Sequence, residues 1–355
     1  LSFNFDEAFD VVGAEIRNLT ENVGLTEVSG FNRFEITGAD RQTFLDRLFC
    51  GTVTKRDGRV GLGYLLNHHG MIKGEATVAN LPASDRGPAR VWYGSAAASE
   101  THDMDWLTDH LHTDEDVQIR SLTNDQTILV LAGPKSRAVL SACSRGDWSA
   151  AAFPWLSVRE CFIGFAPATV MGVSFSGELA YEIHVPNASL YAAYLALRKA
   201  GAAFGMTLFG ARAVDSMRME KGFLHWKADL LTEFDPFETG LDRFVKLKKG
   251  EFIGKDALVK RHAAGPQRKL VTLKLDATHA PARGGASLMR GKTVVGTVTS
   301  ADWGHRTGLN LAYAFVQPDL AAVGTLLTLD MYGDLIAAEV ITPSPYDPEF
   351  TRMRS

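Results

Sequence analysis

The stretch Gly172-Val173-Ser174-Phe175-Ser176-Gly177-Glu178-Leu179-Ala180-Tyr181-Glu182 places two carboxylates around a glycine turn inside otherwise apolar sequence. A carboxylate in such surroundings needs a reason. At a strand-to-strand turn, Glu178 can accept two parallel hydrogen bonds from a flat N–H/NH2 edge, a pairing that its charge strengthens. A solvated turn residue or an internal ion-pair partner fits the same local sequence. Val173 to Phe175 and Tyr181 to Val185 read as strands flanking the turn. Ser189 then caps a helix that carries Leu190, Tyr194 and Leu197 on one face.

Outward from this unit the texture repeats. On the N-terminal side, Thr127 to Leu131 is a short β-type run, Ala132-Gly133-Pro134 a turn and Ser136 to Cys143 a helix. Further back, Arg33 to Thr37 alternates with Phe34 and Ile36 on one face. Asp40 then caps a helix with Phe44, Leu45, Leu48 and Phe49 before Gly51. Residues 81–89 read as a long hairpin loop. On the C-terminal side, Lys260 to Lys269 is basic and contains Gly265-Pro266, the texture of a connector. Beyond it Val271, Leu273 and Leu275 alternate, Thr293 to Thr299 is β-rich, and Tyr332-Gly333-Asp334 reads as a hairpin. The expected division is a mixed domain over 1–262 and an all-β domain over 263–355.

Composition narrows the function classes. The 355 residues are 46% apolar and 22% charged, and 37 Lys plus Arg against 41 Asp plus Glu leave a formal charge of −4. No broad field recruits nucleic acid or an anionic membrane, so specific sites carry the function. Cys50, Cys143 and Cys161 are odd in number and widely spaced, which supports neither a disulfide framework nor zinc and favours a reducing compartment. The longest uncharged run, between Glu160 and Glu178, is broken by Gly164, Pro167, Gly172 and Gly177 and reads as strands rather than a membrane span. No targeting signal is visible from Leu1 onward, and a cytoplasmic location is the expectation.

Two further constellations stand out. Ser216-Met217-Arg218-Met219-Glu220-Lys221-Gly222 falls on a helix where Val214, Met217 and Lys221 share a face that Arg218 adjoins. A half-buried guanidinium there calls for an internal acid or an oxygen-rich ligand. Asn67-His68-His69-Gly70-Met71-Ile72-Lys73-Gly74-Glu75 is a turn leading into a strand. His68 and His69 would point to opposite faces, so no metal site is read there. Glu75 at the lip of a pocket can take a proton from an attacking amine, and a surface strand residue fits its local sequence as well. Neither a GxGxxG nor a GxxxxGK loop is present, so no FAD or NAD site is expected within the chain.

Together these motifs resemble the aminomethyltransferase (glycine-cleavage T-protein) family. Gly172 to Glu178 followed by Tyr181-Glu182 resembles its S-Y-T-G-E…W/Y-E signature, and Ser216 to Gly222 its L-R-x-E-x-G segment. Asp235-Pro236-Phe237-Glu238-Thr239-Gly240-Leu241 is similar to the P-x-E-x-G-L stretch, Phe252-Ile253-Gly254-Lys255-Asp256-Ala257-Leu258 to F-I-G-K-x-A-L, and Leu131-Ala132-Gly133-Pro134 to the A-G-P turn. Glycine-cleavage members carry Asp where this chain has Glu75 and Tyr where it has Phe175. Dimethylglycine and sarcosine dehydrogenases are more similar, with a Glu after the G-x-V/I turn, a pattern like His102-Asp103-Met104-Asp105-Trp106, and a segment like Arg218 to Trp226.

The resemblance implies an α+β fold of interwoven units around a central folate pocket, followed by a small β-barrel. It implies tetrahydrofolate as cofactor, with Glu178 reading the pterin edge, and Arg218, Phe175, Tyr93 and Ser95 along the folate. Glu75 would then be the catalytic carboxylate. The implied reaction captures an iminium or formaldehyde carbon from a small methylated donor, giving 5,10-methylenetetrahydrofolate, with an FAD-containing oxidoreductase domain or subunit as partner. Two other outcomes share the resemblance. One is a stand-alone S- or O-demethylase that moves an intact methyl group to folate. The other is a folate-binding accessory protein of the iron–sulfur assembly type, whose K-G-C-Y-x-G-Q-E segment is replaced here by Lys221-Gly222-Phe223-Leu224-His225-Trp226.

Overall fold

The computed structural model describes residue 5 and residues 7–355. In chain order the first part runs α1 (Ala8–Glu21), β1 (Gly24–Glu27), β2 (Phe31–Thr37), α2 (Arg41–Leu48), β3 (Val60–Leu66), β4 (Ile72–Leu81), β5 (Arg90–Ala96), α3 (Glu100–Asp109) and β6 (Gln118–Ser121). The middle continues through β7 (Gln126–Ala132), α4 (Ser136–Cys143), β8 (Val158–Ile163), β9 (Ala166–Met171), β10 (Ala180–Pro186), α5 (Leu190–Gly201), β11 (Thr207–Leu208), α6 (Ala211–Lys221) and α7 (Lys255–Ala264). The last part is β12 (Lys269–Leu275), β13 (Ser287–Arg290), β14 (Thr293–Gly304), β15 (Leu309–Val316), β16 (Leu326–Met331), β17 (Asp334–Ile341) and α8 (Thr351–Arg354).

These strands form a five-stranded sheet, β3-β4-β5-β2-β6, a six-stranded sheet, β11-β1-β7-β10-β9-β8, and a closed barrel, β12-β15-β14-β13-β16-β17. The six-stranded sheet takes β1 from before the other sheet's strands and the remainder from after them, so the two units are interwoven. Alternation along the strands decides which side chains meet which layer. Phe34, Ile36, Val78, Val91 and Tyr93 turn to the face covered by Phe44, Leu45 and Leu48 of α2 and Leu107 of α3. The opposite face presents Val60, Ala79, Leu81 and Trp92 to Val158 and Met171 of the second sheet. Inside the barrel, Leu273, Leu275, Leu288, Leu329 and Val340 close the core.

The barrel docks on α6. Ser216 Oγ donates to the Trp303 carbonyl at 2.6 Å, and Tyr313 OH donates to the Met219 carbonyl at 2.7 Å. After β17 the chain returns across this junction, so its last residues pack on the mixed domain.

Several expected details differ. Val173 to Phe175 is not a strand: β10 pairs with β9, and Ser174 and Ser176 hydroxyls accept the Gly177 and Glu178 N–H groups instead. Asp40 and Ser189 precede their helices without a side-chain cap bond. Asp40 Oδ2 accepts the Asp116 N–H at 3.0 Å. Helix α7 runs to Ala264, so half of the connector expected over 260–269 is helical. Among the described residues no helix is long and apolar enough to cross a membrane.

Candidate functional site

Glu75 lies near the start of β4 directly opposite Tyr64 of β3. By the strand period it shares the face of Thr77 and Ala79, which turns toward the second sheet rather than toward the helices. Its carboxylate accepts the Tyr64 hydroxyl at 2.7 Å. Burial raises the carboxyl's pKa from about 4.5 to about 7, an effect the Tyr64 hydrogen bond partly offsets. The side chain is half-buried. A carboxyl poised near neutrality suits proton transfer.

Glu178 is 1% exposed and sits at the centre of an ion network. Its Oε1 accepts from Arg306 and from Tyr346 OH, each at 2.9 Å, and its Oε2 accepts from Arg352 Nε at 2.6 Å. Arg306 also donates to Glu220 Oε2 at 2.5 Å, while Lys221 pairs with Asp347 at 3.0 Å. Three acids and three bases therefore balance. A carboxylate offers about four acceptor positions, so three contacts leave Glu178 one. The two free positions that edge recognition requires are absent in this conformation. Of its two cationic partners, the Arg352 side chain is the more open to solvent, 35% exposed against 3% for Arg306.

Arg218 is not half-buried as its helix position suggests but 5% exposed. Its Nη1 donates to Asp229 Oδ2 at 2.8 Å, and its guanidinium lies over the Tyr313 ring. Asp229 also accepts the His225 N–H at 2.8 Å and the Thr299 hydroxyl at 2.5 Å. The internal-acid reading of Arg218 is the one that its geometry meets. Gly222, at φ 76°, ends α6 in the left-handed region that favours glycine. Arg218 and Asp229 then fix the loop over 222–230. That loop carries Phe223 toward Phe175, with rings 11° from parallel and centroids 6.1 Å apart, and Leu230 toward Tyr64. It thereby links the neighbourhood of Glu178 to that of Glu75. Phe175 is 39% exposed, a large apolar surface left open beside Glu178.

Tyr93 and Ser95 do not join this arrangement. They occupy the helix-covered face of β5, opposite to the face of Glu75. Tyr93 packs against Phe34 and Phe49. Ser95 donates to Asn32 Oδ1 at 2.9 Å and to Asp103. The pleat turns both side chains into the core beneath the helices. Conversely, Tyr64, Arg306, Tyr346 and Arg352 escape the sequence reading. Nothing local marks residues that meet Glu178 from 128 to 174 positions away, although a buried Glu178 itself demands cations from somewhere. His68 contacts the rings of Trp106 and His110 in the turn before β4.

With this geometry in view, residues 1–249 match the GCVT N-terminal domain and residues 268–347 the glycine cleavage T-protein C-terminal barrel domain. The chain belongs to the glycine-cleavage T-protein, or aminomethyltransferase, family. It is 31% identical to human mitochondrial dimethylglycine dehydrogenase, covering 99% of this chain and 40% of that protein. It is 30% identical to human mitochondrial sarcosine dehydrogenase, again covering 99% and 40%. The chain thus spans about two fifths of the length of these relatives. The crystal structure of glycine cleavage system aminomethyltransferase T from Bartonella henselae superposes with a TM-score of 0.84 at 24% identity, covering 97% of this chain and 90% of that one, which establishes the shared fold.

Proposed function

We propose that this chain captures a one-carbon unit on tetrahydrofolate, yielding 5,10-methylenetetrahydrofolate from an iminium or formaldehyde carbon released by an N-methylated amine. The observation that carries this reading is Glu75: a half-buried carboxyl, oriented by Tyr64, with a pKa near 7 on the face turned away from the helical core. The residues present suit a folate. Phe175 and Phe223 offer near-parallel aromatic surface for a flat ring, and Glu178 keeps one acceptor position that becomes two once Arg352 swings toward solvent.

Bound folate would supply two amine nitrogens, which exchange two N–H bonds for one methylene bridge while the donor leaves as a protonated amine or, from formaldehyde, as water. Glu75 accepts a proton from the amine as it becomes positively charged, and Tyr64 holds the receiving oxygen in place. Arg218 acts through Asp229 as a positioning residue for the loop over 222–230. Arg306 and Tyr346 hold Glu178 in one orientation, a preorganisation that lowers the cost of binding. The oxidised donor comes from elsewhere, and the longer relatives favour an FAD-containing oxidoreductase domain or subunit as its source.

The test is the rate of methylenetetrahydrofolate formation above the uncatalysed rate in the parent and in Glu75→Gln. The variant should lose roughly 10²-fold or more in turnover while its tetrahydrofolate affinity changes little. Equal losses in turnover and affinity would assign Glu75 to binding alone.

A further inference from the structure

A polar cavity of about 180 Å³ opens between the two sheets, reaching the end of β4 away from Glu75. Glu75 is near the start of β4 and Leu81, which lines the cavity, ends it. Six residue steps separate them, roughly 20 Å, while Trp92, opposite Ala79, lies about four steps away, roughly 13 Å. None of the residues that line it is among those proposed to hold folate, so its occupancy is tested apart from that reading.

Its wall carries Arg86, Arg90 and Arg120 against Glu35 and Glu160, and Arg120 pairs with Glu35 at 3.1 Å and with Asp125 at 3.5 Å, so both signs of charge line it in balance. Arg90 pairs with Glu35 at 3.2 Å and also with Glu160, so these groups are held rigidly. The Arg120 side chain, 62% exposed, marks the mouth. The floor is made by Trp92 and His184, set edge to face with centroids 4.6 Å apart. Both residues are at least nine-tenths buried. Among the described residues, Trp92 Nε1 and His184 Nδ1 have no hydrogen-bond partner, and across the wall Gln126 Oε1 has none either.

Buried polar groups are ordinarily satisfied, and exceptions clustered around one cavity call for an explanation. An unpartnered indole donor and an unpartnered amide acceptor, with charges of both signs between, match a solute that brings an acceptor and a donor of its own. The volume falls below the roughly 300–1,000 Å³ of pockets that hold drug-sized ligands. We propose that this cavity binds a small α-amino acid, its carboxylate toward Trp92 N–H and Arg120, its ammonium toward Gln126 Oε1 and the carboxylate side of the wall.

The experiment is an NMR titration of the full chain with glycine and, separately, with acetate, which has the carboxylate and no donor. Trp92→Phe keeps an aromatic ring, removes the N–H, and identifies the Trp92 indole signal among those of the six tryptophans. Glycine at millimolar concentration should shift that signal saturably and leave the other indoles in place. Acetate should bind about tenfold more weakly, the effect of losing a charge-assisted hydrogen bond. In Gln126→Ala, glycine should fall to the level of acetate, and this variant leaves the Trp92 reporter intact if Trp92→Phe folds poorly. No saturable shift with glycine, equal binding of acetate and glycine, or unchanged glycine affinity in Gln126→Ala would overturn the proposal.

Discussion

At the scale of single residues the proposed chemistry concentrates in Glu75. Its folded pKa lies above the ordinary carboxylate value, so ionisation is harder in the folded protein than in the unfolded chain. The associated cost is absent below about pH 4.5, grows as pH rises, and is fully present above about pH 7. Glu75→Gln should therefore stabilise the fold at pH 8, by on the order of 1–3 kcal/mol, and leave it unchanged at pH 4. Melting curves at the two pH values check this. Turnover has the opposite dependence, because a proton acceptor works only when ionised: the rate should rise with pH through about 7. Tyr64→Phe removes the hydrogen bond that lowers this pKa, so the rising limb should move to higher pH. An unmoved limb would detach the titration from Glu75.

At the scale of elements, the loop over 222–230 is held by one buried pair. Removing one partner of such a pair leaves an uncompensated charge, whereas removing both does not. Arg218→Met should destabilise the protein by about 3–5 kcal/mol, and Arg218→Met combined with Asp229→Asn by clearly less. Urea unfolding of the single and double variants measures the coupling, and strictly additive losses would contradict it. Most elements were legible in the sequence because their signals are local. Val271, Leu273 and Leu275 alternate as β12 does, and Tyr332 and Gly333, at φ 61° and 96°, form the tight turn between β16 and β17. The stretch Val173 to Phe175 misled because its β-type composition is overruled by Ser174 and Ser176, whose hydroxyls capture backbone N–H groups. Of the proposed site, the motifs singled out Glu75, Glu178, Arg218 and Phe175. The pleat that turns Tyr93 and Ser95 inward and the distant partners of Glu178 are tertiary facts with no local signature.

At the scale of the whole molecule, the mixed domain and the barrel share their buried charges. Glu178 and Glu220 belong to the first, while Arg306, Tyr346 and Arg352 come from the barrel's β14–β15 turn and the returning C-terminal segment. Residues 1–264 produced alone would leave both carboxylates buried without their cations. That fragment should show no cooperative unfolding transition, and a fragment that melts cooperatively near the midpoint of the full chain would refute the shared network. In the proposed reading Glu178 serves a ligand only when the second domain is docked, because Arg306 and Tyr346 orient it and Arg352 has to yield to open it.

Whether the chain holds tetrahydrofolate at Glu178 is decided by calorimetric titration of that cofactor into the full chain and into Glu178→Gln. The parent should show saturable one-site binding and the variant a loss of about tenfold or more, with folding of the variant verified by its melting curve. A well-folded parent that binds no tetrahydrofolate, or a variant that binds it equally well, would contradict the folate reading.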